Sequence, residues 1–111
     1  MIIYVDIDET ICDTPDSRDY TQSTPLKDRI SKINKLHDEG HTIVYWTARG
    51  TQTGVDWRDI TEQQLRSWEA KYQELKFGKP VYDLFIDDKN LGHKNNWSTF
   101  ITKYLPDKKI S

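Results

Sequence analysis

Met1-Ile2-Ile3-Tyr4-Val5-Asp6-Ile7-Asp8-Glu9-Thr10 is a run of sheet-forming residues that breaks abruptly into acids. Apolar residues that run on without alternating suit a strand covered on both faces, as in a parallel sheet. Side chains two apart on a strand point the same way, so Asp6 and Asp8 share one side where the strand ends. Neighbouring carboxylates repel unless a cation or a shared proton holds them, and an oxygen-seeking divalent metal answers that need. An ordinary acidic turn answers it too, because Asp is common in turns. This stretch alone leaves both readings open.

Beyond it, Ile11 to Thr24 is polar, contains Pro15 and keeps no period, so it is expected to be a flap or an irregular hairpin. Thr24-Pro25 then reads as a helix start, followed by an apolar stripe of Leu26, Ile30, Ile33 and Leu36 that ends at Gly40. His41 to Trp46 forms a second buried-type strand ending in Thr47-Ala48-Arg49-Gly50. Thr61-Glu62-Gln63-Gln64 has the form of a capping box. A helix carrying Leu65, Trp68, Tyr72 and Leu75 on one face is expected to follow it and to stop before Gly78. Lys79-Pro80 leads into a third strand, Val81 to Ile86, which runs into Asp87-Asp88. A last helix carries Trp97, Phe100, Ile101 and Tyr104 up to Pro106.

Strands alternating with helices predict an α/β domain, Rossmann-like and three-layered, around a mainly parallel sheet. Residues 1–106 are expected to form that single domain and 107–111 a frayed tail. In open parallel sheets, sites gather beyond the carboxyl ends of the strands. The first strand delivers Asp6 and Asp8 there, the second Thr47 and Arg49, and the third Asp87 and Asp88, with Lys79 just before it. Three such endings on one edge point to one site.

Composition narrows the classes. The 111 residues carry 16 basic and 18 acidic side chains, a net charge of −2 that argues against general nucleic-acid binding. No apolar run is long enough to cross a bilayer, no leader pattern precedes the first strand, and one cysteine makes no internal disulfide. A cytoplasmic protein with no membrane partner is expected. Cys12, His37, His41 and His93 lack metal-site spacing and read as structural or exposed.

Together, Asp6-Ile7-Asp8-Glu9-Thr10, Thr47 after an apolar strand, Lys79, and Asp87-Asp88 after another apolar strand resemble the four motifs of the haloacid dehalogenase superfamily. These are phosphatases with an aspartate nucleophile. The resemblance spans residues 6 to 88. It implies Asp6 as nucleophile forming an aspartyl-phosphate, and Asp8 as acid and then base. It implies phosphate binding by Thr47 and the Ala48 amide, with charge compensation by Lys79. It also implies Mg²⁺ held by Asp6, the Asp8 carbonyl, Asp87 and Asp88. Lys79 lies closer to the fourth motif than in many relatives, so Lys76 stands as its alternative. Arg49 is either a grip for a second anionic or hydroxylated part of the substrate or a solvated surface residue.

The superfamily's usual cap domain has no room here, leaving a minimal flap. An open site favours a bulky substrate, a partner protein or a homo-oligomer that closes it. Trp46-Thr47-Ala48-Arg49-Gly50 and Phe77 to Asp88 are also similar to small phosphatase-like proteins of capsule and surface-sugar (polysaccharide) biosynthesis. That makes a sugar phosphate, or a related small phosphorylated metabolite, the expected partner. Residues 50 to 60, with Gln52, Asp56, Trp57 and Arg58, form the expected specificity surface. Two alternatives stand beside this hydrolase. One is a nucleotide or polynucleotide 3′-phosphatase using Lys89, Lys94 and Lys103. The other is a non-catalytic binding module on the same fold.

Overall fold

The computed structural model describes residues 1–81, which form one compact unit. The expected third strand from residue 82 on, the last helix, the tail, Asp87, Asp88 and His93 lie outside the described residues.

Strands β1 (Ile2–Val5), β4 (Thr42–Trp46) and β5 (Glu74–Lys76) make a parallel sheet in the order β1-β4-β5. A short antiparallel pair, β2 (Cys12–Asp13) with β3 (Thr24–Pro25), builds the flap, and helices α1 (Lys27–Asp38) and α2 (Arg58–Ser67) complete the unit. The architecture is α/β with a parallel sheet, compatible with a Rossmann-like fold.

Register explains the core. Val5 pairs with Tyr45 and Tyr45 with Leu75, so one row of side chains crosses all three strands on one face. Ile30 of α1 and Leu65 of α2 join that same buried cluster, along with Ile7, Ile11, Cys12 and Ile43. Both helices therefore pack on one face, as two right-handed crossovers moving the same way across a sheet require. Each fully buried Ile or Leu contributes on the order of 1.5–3 kcal/mol. Residues of the other face of β1 are open: Ile2 is 72% and Tyr4 50% exposed. Among the described residues the layers number two, a sheet and one helical layer.

Three local expectations are corrected. Thr24 and Pro25 do not cap α1. They pair with Asp13 and Cys12, and α1 starts after Leu26 without a side-chain cap. The second helix begins at Arg58, ahead of the capping box, after Asp56 Oδ1 accepts from the Arg58 amide at 2.9 Å. It also stops far short of Gly78. Glu69 turns into the left-handed region at φ 60°, and Leu75 belongs to β5. Trp68, Tyr72 and Leu75 do pack on one core, but from three successive pieces of chain rather than one helix. As a result Lys79 follows a strand of the sheet, within reach of its carboxyl edge.

Among the described residues, no helix is long and apolar enough to cross a membrane.

Candidate active site

Asp6 and Asp8 emerge from β1 on either side of Ile7, whose side chain is fully buried and fixes the alternation. The turn that follows is held by the Thr10 and Ile11 amides, both donating to the Ile7 carbonyl, and by Glu9 at φ 63°. Arg29 of α1 donates to the carbonyls of Glu9 and Thr10, which ties the turn to the helix.

Lys79 meets Asp6, with Nζ 3.4 Å from Oδ1. Its backbone is fastened to the end of β4: the Lys79 amide donates to the Thr47 carbonyl at 3.1 Å, and Thr51 Oγ1 donates to the Lys79 carbonyl at 2.8 Å. Burial raises the carboxyl of Asp6 above its ordinary range, and the Asp8 charge adds to that. The Lys79 charge and hydrogen bonds from Ile7 and Lys79 oppose it. Lys76, the alternative, is exposed at its amine and donates to the Tyr4 hydroxyl at 3.1 Å, away from Asp6.

Asp8 is gripped from the other side. Arg49 Nε donates to Asp8 Oδ2 at 3.0 Å and Arg49 Nη2 to Oδ1 at 2.8 Å, a two-pronged pair. Thr14 Oγ1 donates to Oδ1 at 2.5 Å, and Cys12 Sγ lies 3.6 Å from the same oxygen. Burial pushes the Asp8 carboxyl up, but the bonds and charge of Arg49, with Thr14 behind them, hold it below its usual range.

The surface expectation for Arg49 does not fit. Its side chain is 0% exposed, so it is not a surface residue. Its donors are engaged within the chain. Besides Asp8 they meet Thr61 Oγ1 at 3.0 Å, Gln64 Oε1 at 2.6 Å and Ser23 Oγ at 3.4 Å, with the Tyr20 ring 4.6 Å from the guanidinium carbon.

Thr47 follows β4 fully buried, and its Oγ1 accepts from the Arg49 amide at 3.1 Å, which leaves its O–H as a donor. Ala48 lies between them, half-buried. Cys12 is buried, and its thiol is pushed up to about 11, chiefly by burial, so it stays neutral. His41 Nδ1 sits 3.0 Å from the amino terminus, at the opposite end of the sheet from Asp6.

Beside these residues lies a cavity of about 220 Å³, lined by Gly50, Thr51, Asp56, Trp57, Arg58 and Phe77 among others. The guanidinium of Arg58 stands 4.7 Å from the Phe77 ring. Trp57 meets Tyr20 of the flap edge-on at 4.9 Å between centroids. Three of the four residues singled out between 50 and 60 line this cavity, and exposed Gln52 does not. Gly50, at φ 80°, has no room for a side chain, since a Cβ would meet the Val55 carbonyl oxygen at 2.1 Å.

Among the described residues there is no cluster of three or more His, Cys, Asp or Glu able to hold a metal. The donors present, Asp6 and the Asp8 backbone, are oxygens, the type a hard divalent cation takes. Asp87 and Asp88, the other expected ligands, lie outside the described residues.

Thr14, Thr61 and Gln64 were not anticipated. The Thr-x-x-Gln pattern flagged the last two as a cap, whereas both face Arg49 from within α2.

No protein-family model matches the chain, and no curated protein does. Two solved structures are similar. A Vibrio cholerae protein, an MCSG target, is 28% identical over 80% of each chain, with a TM-score of 0.72. A chain of the Pnkp1/Rnl/Hen1 complex is 16% identical, with 93% of this chain covering 33% of that one at a TM-score of 0.53, a likeness of fold.

Proposed function

We propose that this protein is a phosphomonoesterase of the haloacid dehalogenase type that works through an aspartyl-phosphate on Asp6. The observation that carries the proposal is the Lys79–Asp6 pair, 3.4 Å apart at the carboxyl edge of a parallel sheet, with Asp8 alongside. A carboxylate meant to attack a phosphate dianion needs a cation beside it to offset their repulsion. Lys79 occupies that place, with its side chain 12% and that of Asp6 37% exposed, so the pairing offsets repulsion in a partly dry site.

In the proposed reaction an Asp6 carboxylate oxygen forms a bond to phosphorus as the bond from phosphorus to the leaving oxygen breaks. Asp8 passes its proton to that oxygen. Water then adds to phosphorus, gives a proton to Asp8, and breaks the bond to Asp6, releasing inorganic phosphate. Arg49 keeps Asp8 ionised in the free protein, which suits the second step. For the first step, the negative charge of an arriving dianion favours uptake of a proton by Asp8. Thr47 and the Ala48 amide are the proposed phosphate donors, with Lys79 offsetting charge.

Mg²⁺ is the proposed cofactor, with Asp6, the Asp8 carbonyl, Asp87 and Asp88 as its ligands. When bound, it neutralises charge on the phosphate and the nucleophile. The small cavity beside the site, with Trp57 and Phe77 for an apolar face and Asp56 and Arg58 for hydroxyls, supports a phosphorylated sugar as substrate.

The test is phosphate release from a metabolite panel, with 3′-phosphorylated oligonucleotides included, with and without Mg²⁺ and in Asp6→Asn. Metal-dependent release from sugar phosphates, abolished by the substitution, is expected. Equal release by Asp6→Asn overturns the nucleophile. Release only from oligonucleotides replaces the substrate class, and release from nothing leaves the binding-module reading.

A further inference from the structure

We propose that Arg49 and Thr14 are positioning residues that aim one particular oxygen of Asp8, Oδ2, at the reacting oxygen. The inference rests on the phosphatase reading and deepens it.

A carboxylate oxygen offers two in-plane lone pairs. Oδ1 of Asp8 is filled, by Arg49 Nη2 at 2.8 Å and Thr14 Oγ1 at 2.5 Å, with the Cys12 sulfur at 3.6 Å. Oδ2 receives only Arg49 Nε, at 3.0 Å, among the described residues. One lone pair of Oδ2 is left to take or hold a proton. Because the guanidinium is planar and bonds both oxygens, it also fixes the plane of the carboxylate, so that lone pair has a defined direction.

The clamp is itself immobilised. Arg49 is held by Thr61 and Gln64 of α2, and its amide is anchored on Thr47 Oγ1. Thr14 is fixed in turn by Ser23 across the flap, 2.8 Å between hydroxyls. A buried ion pair kept for stability alone gives little, since an apolar pair of similar volume does as well or better. What an apolar pair cannot do is orient a carboxylate.

The test separates proton delivery from everything else by varying the leaving group. An alkyl phosphate needs a proton on its departing oxygen, whereas p-nitrophenolate leaves without one. Single-turnover release of alcohol from an alkyl phosphate is compared with the first-turnover burst of nitrophenolate from p-nitrophenyl phosphate. The variants are Arg49→Lys, which keeps the charge and loses the fork, and Thr14→Val, which loses one bond to Oδ1. Thermal melts establish that each is folded. In Arg49→Lys the alkyl rate is expected to fall about 10²-fold more than the burst rate, the low end of a lost acid–base contribution. In Thr14→Val the excess loss is expected to be about 5-fold, one hydrogen bond's worth. Equal losses on the two substrates in both folded variants overturn the positioning role while leaving the phosphatase intact. If unaltered protein turns over neither substrate, the phosphatase reading falls and this assignment falls with it. Should Arg49→Lys fail to fold, Thr14→Val decides alone.

Discussion

Lys79 reaches Asp6 across a strand that belongs to neither of them. Asp6 follows β1 and Lys79 follows β5, with β4 between the two, yet the charges lie 3.4 Å apart. The span is made by the backbone, because Lys79 is pulled over the end of β4 by Thr47 and Thr51.

Replacing Lys79 by Met is therefore expected to lower kcat/KM for phosphate release about 10²-fold, the size of losing one preorganised electrostatic contact. Lys76→Met, which breaks the contacts with the Tyr4 hydroxyl and ring, is expected to stay within about 3-fold, as a surface change does. Steady-state rates of the two variants check this, and the reverse order would return the role to Lys76.

The two acids respond oppositely to pH. The Asp8 carboxyl is lower folded than unfolded, so it stabilises the fold above pH 3.8, and that contribution is lost as pH falls from there toward the folded value. The Asp6 carboxyl is higher folded than unfolded. Its contribution is present below pH 3.8 and lost as pH rises through the folded value. Urea midpoints followed from pH 3 to 7 are expected to rise less steeply in Asp8→Asn than in the unaltered protein. In Asp6→Asn they are expected to rise more steeply. Parallel curves in all three proteins would remove both shifts.

Tyr45 is fully buried on β4, and its hydroxyl has no hydrogen-bond partner among the described residues. Its ring sits edge-on to Tyr72, 5.7 Å between centroids, and burial pushes its ionisation up to about 12. Tyr45→Phe keeps the ring and removes the stranded group, so a gain of about 1 kcal/mol in unfolding free energy is expected. Chemical denaturation measures it, and a loss of that size would mean the hydroxyl is satisfied.

Gly50→Ala forces a Cβ against the Val55 carbonyl in a left-handed turn. A loss of about 1–3 kcal/mol is expected from strain of that kind, together with disruption of the cavity wall. Denaturation and substrate KM report the two effects separately.

The alternation of strand and helix could be read from sequence because Ile2 to Val5 and Thr42 to Trp46 are unbroken sheet-forming runs and the α1 stripe keeps a helical period over several residues. Glu74-Leu75-Lys76 could not, since a three-residue strand with one buried side chain leaves no period of its own. Leu75 also fell in step with Leu65, Trp68 and Tyr72, so the helix looked longer than it is. Its true end lies in the left-handed turn at Glu69, a conformation that a glutamate does not advertise. The placement of Asp6 and Asp8 at one edge followed from where β1 ends, whereas that of Lys79 depends on β5 and did not. The burial of Arg49 did not, because its partners Asp8, Cys12, Thr61 and Gln64 come from separate elements. A cation just past a strand usually faces water.

The contact between Tyr20 and Trp57 carries a consequence of a different kind. The flap lays a phenol against an indole, and the indole belongs to the wall of the cavity. Indole emission shifts with its surroundings, so Trp57 is a built-in optical gauge of where the flap lies. The chain has four tryptophans, and the difference in emission between the unaltered protein and Trp57→Phe isolates that one signal. Stopped-flow mixing with a ligand then reads any change around Trp57 directly, without a label.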